Sequence, residues 1–307
     1  MPQNLNQVRV IDPVLSNVAQ GYRHPELVGH ALFPRVPVQV SGGQVLEFGR
    51  ESFRLYNARR APGANTRRIE FGYLGKPFAL VQDALEGKVP FEHLRDANRA
   101  PGVNLGTRAV NGVMRALSLA LEKEQADIAR NPANYDANHV IDLAAAKWTD
   151  DANNPNKDLD TGKTAIADTI GIEPNTLVLS RAAFYAAKNN ANVVNRFKYT
   201  SKESITAEML ANLWDLERVV VGKAISFDDA GNSTALWGAD AVLAYVPESP
   251  SGMEEPSYGY TYTMEGHPIV EQAYQDRNAK SWIYPVTYER APVLSGMTAG
   301  YLLQNVG

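Results

Sequence analysis

The chain contains no cysteine. Disulfides, thiolate metal sites and cysteine nucleophiles are thereby excluded, so stability has to come from packing and association. No apolar run approaches the ~18 residues of a membrane-spanning helix, and the start, MPQNLNQVRV, lacks the charged-then-apolar order of a secretory signal. These absences predict a cytosol-like compartment and no membrane partner. Charge of one sign is scarce too: 30 Lys and Arg stand against 34 Asp and Glu, a net charge of −4. That is not the basic excess of a dedicated nucleic-acid binder. No period of 20–50 residues recurs, which argues against solenoids and propellers. With 307 residues, 44% of them hydrophobic, the chain can build one large core or two small ones.

Catalytic and ligand-binding patterns are equally missing. The five histidines (His24, His30, His93, His139, His267) are scattered, with no helical pair at i, i+4 to hold a metal. Gly162-Lys163-Thr164 resembles the end of a phosphate-binding loop, but Lys157 stands where the first glycine belongs. Asn156, Asp158 and Asp160 have calcium-loop spacing, yet Thr161 replaces the glycine and Ala167 the bidentate glutamate. Ser180 lacks the glycines of a nucleophile elbow and reads as a helix cap. The aspartate pairs at 150–151 and 228–229 read as turn residues. No catalytic, cofactor-binding or metal residue is assigned.

One long element stands out. From Asn104 to Arg130, Val110, Val113, Met114, Leu117, Ala120, Leu121 and Ile128 recur at spacings of three and four, one stripe of a helix. Asn104 or Thr107 can cap its start, and Pro132 ends the register at Asn131. At ~1.5 Å per residue it runs roughly 40 Å, the length of a strut. Its polar side, Arg108, Arg115, Lys123, Glu124 and Asp127, faces water or other chains.

Around this helix the chain divides by pattern. Pro13, Pro25, Pro34 and Pro37 predict an irregular, extended arm over 1–41, whose Leu27, Val28, Leu32, Phe33, Val36 and Val38 suit docking on a neighbour. Residues 42–80 read as a two-stranded excursion, with Gln44–Gly49 rising and Arg68–Leu74 returning. Its tip holds Pro62-Gly63 and Arg59, Arg60, Arg67 and Arg68. These arginines are either a solvated loop end or forks for carboxylates on another subunit. Residues 81–103 lead into the long helix, and DDANNPNKDLDTG reads as a surface loop.

An α/β pattern follows. It comprises a short helix at Thr164–Ile170, a buried strand at Thr176–Leu179, a helix over 181–190 and another from Thr206 to Trp214. A strand at Arg218–Gly222, a turn at 228–232 and the most apolar strand, Ala235–Val246, complete it. Ser257–Met264, Ile269–Tyr274 and Ser281–Glu289 read as antiparallel strands, with Pro285 marking an edge or a bulge. A short apolar strand closes the chain.

Several stretches carry a resemblance: LFPRVPV (Leu32–Val38), RAPG (Arg60–Gly63), LALEKE (Leu119–Glu124), LANLWDLERVVVGKA (Leu210–Ala224), LWGADAVLAYV (Leu236–Val246) and AGYLLQNV (Ala299–Val306). In this order and spacing, across essentially the whole chain, they resemble the major capsid protein of tailed bacteriophages, whose fold is shared with encapsulin shells. The resemblance implies an α+β chain: an N-terminal arm (1–41), an extended β-hairpin loop (42–80), a peripheral domain (81–158 and 258–290) with a spine helix over 104–130, and an axial α/β domain (159–257 and 291–307). It implies a non-enzymatic, cofactor-free subunit that self-assembles into hexamers and pentamers of an icosahedral head shell.

The expected partners are further copies of the chain, a separate scaffolding protein (or a scaffolding segment removed ahead of residue 1), a portal, a decoration protein, and double-stranded DNA touched non-specifically. Assembly in the host cytoplasm and residence in the virion follow. Some members crosslink a loop lysine to an asparagine. Here Lys76 is the only lysine of the excursion, and no crosslink is expected. The candidate inter-subunit contacts are Arg59, Arg60, Arg67 and Arg68 at the loop tip and Phe33, Pro34 and Arg35 in the arm. An encapsulin-like nanocompartment is the alternative within the resemblance. A soluble α/β enzyme is the alternative outside it.

Overall fold

A computed structural model describes residues 11–47, 59, 74–97, 104–198, 204–247 and 257–307. In chain order the elements begin with helix α1 (Pro13–Gly21), strand β1 (Arg35–Val38), the ribbon β2 (Gly42–Glu47) and β3 (Leu74–Ala79), strand β4 (Val81–Pro90) and helix α2 (Phe91–Ala97). Then come the long helix α3 (Leu105–Arg130), β5 (Val140–Asp142), α4 (Pro155–Ile170), β6 (Thr176–Ser180), α5 (Arg181–Asn189), α6 (Ala191–Phe197) and α7 (Ala207–Leu213). The chain continues through β7 (Arg218–Gly222), the hairpin β8 (Ile225–Phe227) and β9 (Ser233–Ala235), β10 (Ala241–Ala244), β11 (Gly259–Met264), β12 (Ile269–Val270), β13 (Tyr274–Asp276), β14 (Ser281–Leu294) and β15 (Gly300–Gln304).

Two large sheets hold all of these strands except the two-stranded pairs β2–β3 and β8–β9. The first has order β5-β15-β10-β6-β7, with β5–β15 and β6–β7 parallel and the two inner pairings antiparallel. Its central strands are apolar on both faces: Leu177, Val178, Leu179, Ala241 to Ala244, Leu302 and Leu303 are fully buried. Helix α4 lies over it, with Gly162 seated against Tyr301 and Leu243, where a Cβ would find no room. This is a self-sufficient core of the kind that covers both faces of a sheet.

The second sheet is built on β14, fourteen residues long. It pairs with β4 over Ser281–Arg290, and β13, β12 and β11 meet successive stretches of it. Strand β1 adds in parallel to β11. Against this sheet, α1 and the first half of α3 bury Leu15, Ala19, Val110, Val113, Met114 and Leu117 with Val270, Val286 and Tyr288.

Most boundaries follow local chemistry. Asn104 caps α3 by accepting from Thr107 N–H at 3.1 Å, and the helix ends at Arg130 before Asn131. Ser180 caps α5 through Ala183 N–H, and Thr206 caps α7 through Met209 N–H. Elsewhere the structure departs from the pattern. The proline-rich arm contains α1, because Asp12 accepts from Val14 and Leu15 N–H and Pro13 fits the first helical position. Residues expected as a loop before Thr164 belong to α4, which starts at the Asn154 cap and ends at Gly171 in the left-handed region (φ 69°). Lys157 to Thr164 therefore form neither a phosphate loop nor a calcium loop; they are helical.

Other departures concern strands. The expected strand Ala235–Val246 is shortened to Ala241–Ala244, since Leu236 to Asp240 turn around Gly238 (φ 55°). The stretch 81–90, expected only as a lead-in, is the strand β4. The described return of the excursion is Leu74–Ala79, paired Gly42↔Ala79 through Glu47↔Leu74, and residues 48–58 and 60–73 lie outside the described residues. Pro285 is not on an edge strand, but it stands at the expected irregularity: between Val270↔Val286 and Tyr274↔Ile283, three residues (271–273) face two (284–285). It pairs with Glu86, and its carbonyl accepts from Glu271 N–H at 3.1 Å. Its missing N–H faces the gap between the β13 and β12 pairings, where no donor is needed.

Candidate functional site

The arm is laid on its own chain. Leu32 and Phe33 are fully buried; the Phe33 ring lies 5.5 Å from that of Tyr258 and fills the space beside Gly259. Pro34 offers its carbonyl to Thr261 N–H at 2.9 Å. Arg35 donates to the His267 carbonyl and lies 5.5 Å over the Tyr288 ring. Of these three expected inter-subunit contacts, Phe33 is buried against Tyr258 within the single chain. Pro34 and Arg35 keep exposed surface. Arg59 is exposed, whereas Arg60, Arg67 and Arg68 lie outside the described residues.

What fastens the arm is a buried carboxylate in the middle of α3. Glu122 is 2% exposed and takes three donors: Val28 N–H at 3.0 Å, Gly29 N–H at 2.8 Å and the Trp237 indole N–H at 2.7 Å. Three charge-assisted bonds satisfy it without a cation. Gly29 is needed there, since a Cβ would collide with Gln125 and Glu122. Gln125 continues the tie by donating to Thr261 Oγ1 at 2.8 Å, and Thr261 in turn donates to the Phe33 carbonyl at 3.1 Å. One helix face thus joins the arm, β11 and the loop that bears Trp237.

Three further ties cross between elements. Arg290, 1% exposed, donates to the Leu117 carbonyl at 2.7 Å and to Asp83 at 2.8 Å, with its guanidinium 4.9 Å over Tyr288. Near it, burial raises the carboxyl of Glu124, an effect the Arg290 charge opposes. At the helix end Arg130 meets Asp240 at 2.6 Å and the Leu236 carbonyl at 2.9 Å. Tyr135 and Tyr258 share a hydrogen bond of 2.6 Å, and burial pushes both phenols well above their ordinary range. The arrangement is mechanical. Among the described residues no group of three or more His, Asp or Glu side chains converges on a metal-sized site. No helix there is long and apolar enough to cross a membrane.

Surfaces suited to association lie outside these ties. Strand β4 pairs only with β14 among the described strands, and its open outer half exposes Val81 (62%) and Leu85 (46%). An unpaired strand edge with exposed apolar side chains is a template for another chain. The β8–β9 hairpin projects Phe227, 67% exposed, and helices α5 and α6 expose Tyr185 and Val194. The sequence reading missed Glu122 and β4; a glutamate and a glutamine on the inward stripe of α3 were the only local sign of the first.

Comparison with known proteins agrees with this architecture. The family described as phage major capsid protein E matches residues 134–279. The major capsid protein of Burkholderia phage BcepMu is 36% identical over 307 residues, covering 98% of each chain. The crystal structure of a phage-related protein from Bordetella bronchiseptica RB50 is 52% identical, with a TM-score of 0.85 over 98% of this chain and 99% of that one. The encapsulin of Synechococcus elongatus PCC 7942, 11% identical, shares the fold alone, with a TM-score of 0.51 over 97% of this chain and 96% of that one. Mixed helix and sheet in the fold common to phage capsids and encapsulins, matched end to end by a named relative, place this chain in the phage major capsid protein family.

Proposed function

We propose that the chain is the repeating subunit of an icosahedral phage head: it assembles into hexamers and pentamers that enclose double-stranded DNA. The observation that carries this reading is the match along 98% of both chains to the BcepMu major capsid protein. The structure supports it physically. A closed shell needs elements that a single subunit leaves open, and the β4 edge and the β2–β3 ribbon are such elements. Many modest contacts per subunit sum, because once some have formed the rest are effectively intramolecular.

In this reading residues 42–80 form the extended loop, and α3 is the spine of a peripheral domain over 81–158 and 258–290. Residues 159–257 and 291–307 form the axial domain. The sheet division supports that split, except that β5 (140–142) joins the axial sheet and β14 carries 291–294 in the peripheral one. A separate scaffolding protein, a portal and possible decoration proteins complete the head. A net charge of −4 suits a wall that encloses DNA without gripping its sequence.

Electron microscopy and light scattering of the expressed protein test the reading. Shells, tubes or free hexamers and pentamers are the expected particles; a persistent monomer, even with scaffolding present, would overturn it. Deleting residues 51–65 should leave a folded subunit that forms no shell. Reversing charge at Arg59 and Arg60 should impair assembly at unchanged melting temperature, and unimpaired assembly would remove those arginines from the contacts.

A further inference from the structure

Between the arm and α3 lies a half-open crevice of about 380 Å³ that no part of the reading above uses. Arg23, Arg35 and Arg218 line it, and the one carboxylate on its wall is Glu122. That carboxylate already accepts from three N–H donors. Among the described residues no acidic side chain lies within ion-pair distance of any of the three arginines. A concavity with two more positive than negative charges, in a chain that is acidic overall, attracts an anion. Its floor, however, is apolar, with Ala19, Leu27, Met114 and Leu121 along it.

A second cleft, of about 330 Å³, adjoins the first; Arg35 and Gln20 line both. Thr263 lines this second cleft, 1% exposed, with its hydroxyl lacking any hydrogen-bond partner. A buried hydroxyl is rarely left so. It marks a place for a polar group supplied from outside the described chain.

We propose that the two clefts form a docking groove for an acidic peptide segment of a second protein: a glutamate or aspartate side chain meets Arg218 and Arg35, an apolar neighbour covers the floor, and the peptide main chain reaches Thr263. Nucleic acid fits less well. A duplex presents its phosphates on a broad polar surface, which would leave the apolar floor uncovered and could not follow a crevice this narrow. The groove is a property of the single chain, so its failure or success is separate from that of shell formation.

The test uses the full chain and a fluorescein-labelled, capped Leu-Glu-Leu-Glu-Leu peptide, followed by fluorescence anisotropy. Saturable binding is expected, lost when both glutamates of the peptide become glutamine. Arg218→Gln should weaken binding roughly tenfold, as the loss of a charge-assisted bond does. Thr263→Val, which keeps the side-chain shape, should weaken it by a smaller factor of about three. Equal binding of the glutamine peptide, an unchanged constant in Arg218→Gln, or no binding to the wild type would overturn the proposal. Displacement of the peptide by equimolar duplex DNA would overturn it in favour of a nucleic-acid surface. Should Arg218→Gln fail to fold, Thr263→Val carries the test alone, and an unchanged constant there would count against the groove.

Discussion

The two sheets reach stability by different routes. The five-stranded sheet is apolar through its centre, with β6 and β10 buried along their whole lengths, and local hydrophobic runs suffice to place it. The sheet on β14 alternates tyrosine and threonine along β11, leaves the outer half of β4 exposed, and is cross-tied by Gln125 and Arg290, while Glu122 binds the arm to Trp237 beside the apolar core. Apolar burial is non-directional and tolerates small shifts, whereas buried polar ties fix one geometry or cost dearly. The first region is therefore suited to be a rigid block. In the second, the ties set the angle at which the arm, the long helix and the open strand edge are presented to other subunits.

The largest expected effect breaks a tie. Glu122→Ala leaves the Val28, Gly29 and Trp237 donors without an acceptor and should cost on the order of 4 kcal/mol, read from denaturant unfolding. Hydrogen exchange then locates the damage. Val28 and Gly29 amides should lose protection while those of Leu177 to Leu179 keep theirs. Equal loss at both places would mean that the polar tie and the apolar sheet are one energetic unit and the comparison is void.

The apolar counterpart is Leu243→Ala, at a fully buried position of β10 beside α4. A cavity there should cost about 3 kcal/mol. Here the pattern of exchange should reverse, with β6, β10 and β15 opening first. The pair of substitutions sharpens the contrast because one removes a buried polar tie and the other apolar burial.

The same contrast explains what could be read from the chain. Runs such as Thr176–Leu179 and the caps Asn104, Ser180 and Thr206 are local signals, and they placed their elements to within a residue or two. Glu122 was invisible because its donors come from 93, 94 and 115 residues away; by spacing alone it is merely a gap in the stripe. The buried face of α3 also drifts, so that Ala120, counted in the stripe, is exposed while Gln125, Ala126 and Ala129 are buried. Strand β4, VQDALEGKVP, has no clean alternation because its outer half is exposed on both faces; only its ten-residue pairing with β14 makes it a strand. The helices α1 and α4 did carry start signals, Asp12-Pro13 and Asn154-Pro155, but proline density and Asn/Asp richness outweighed them. Of the candidate contacts, Phe33 is apolar in an arm expected to reach outward, and in the single chain it packs on Tyr258.

The smallest effect lies at the junction of the two regions, where Tyr135 from the segment after α3 meets Tyr258 at the start of the β11 stretch. Tyr258→Phe removes one hydrogen bond but strands nothing, since Tyr135 still donates to the Ala129 carbonyl at 2.6 Å. The loss at neutral pH should be about 1 kcal/mol. Alkaline pH gives a clearer readout. Both phenols have folded-state values raised above the ~10 of an unfolded tyrosine. The stability they support is therefore complete below pH ~10 and is lost as pH rises, because the unfolded chain releases protons that the folded chain holds. Each such tyrosine contributes a loss of about 1.4 kcal/mol per pH unit above that point. Tyr258→Phe should flatten the alkaline decline by one such increment while leaving the acid limb unchanged. An alkaline limb as steep as that of the wild type would show that the pair titrates from solvent and does not bind the two regions together.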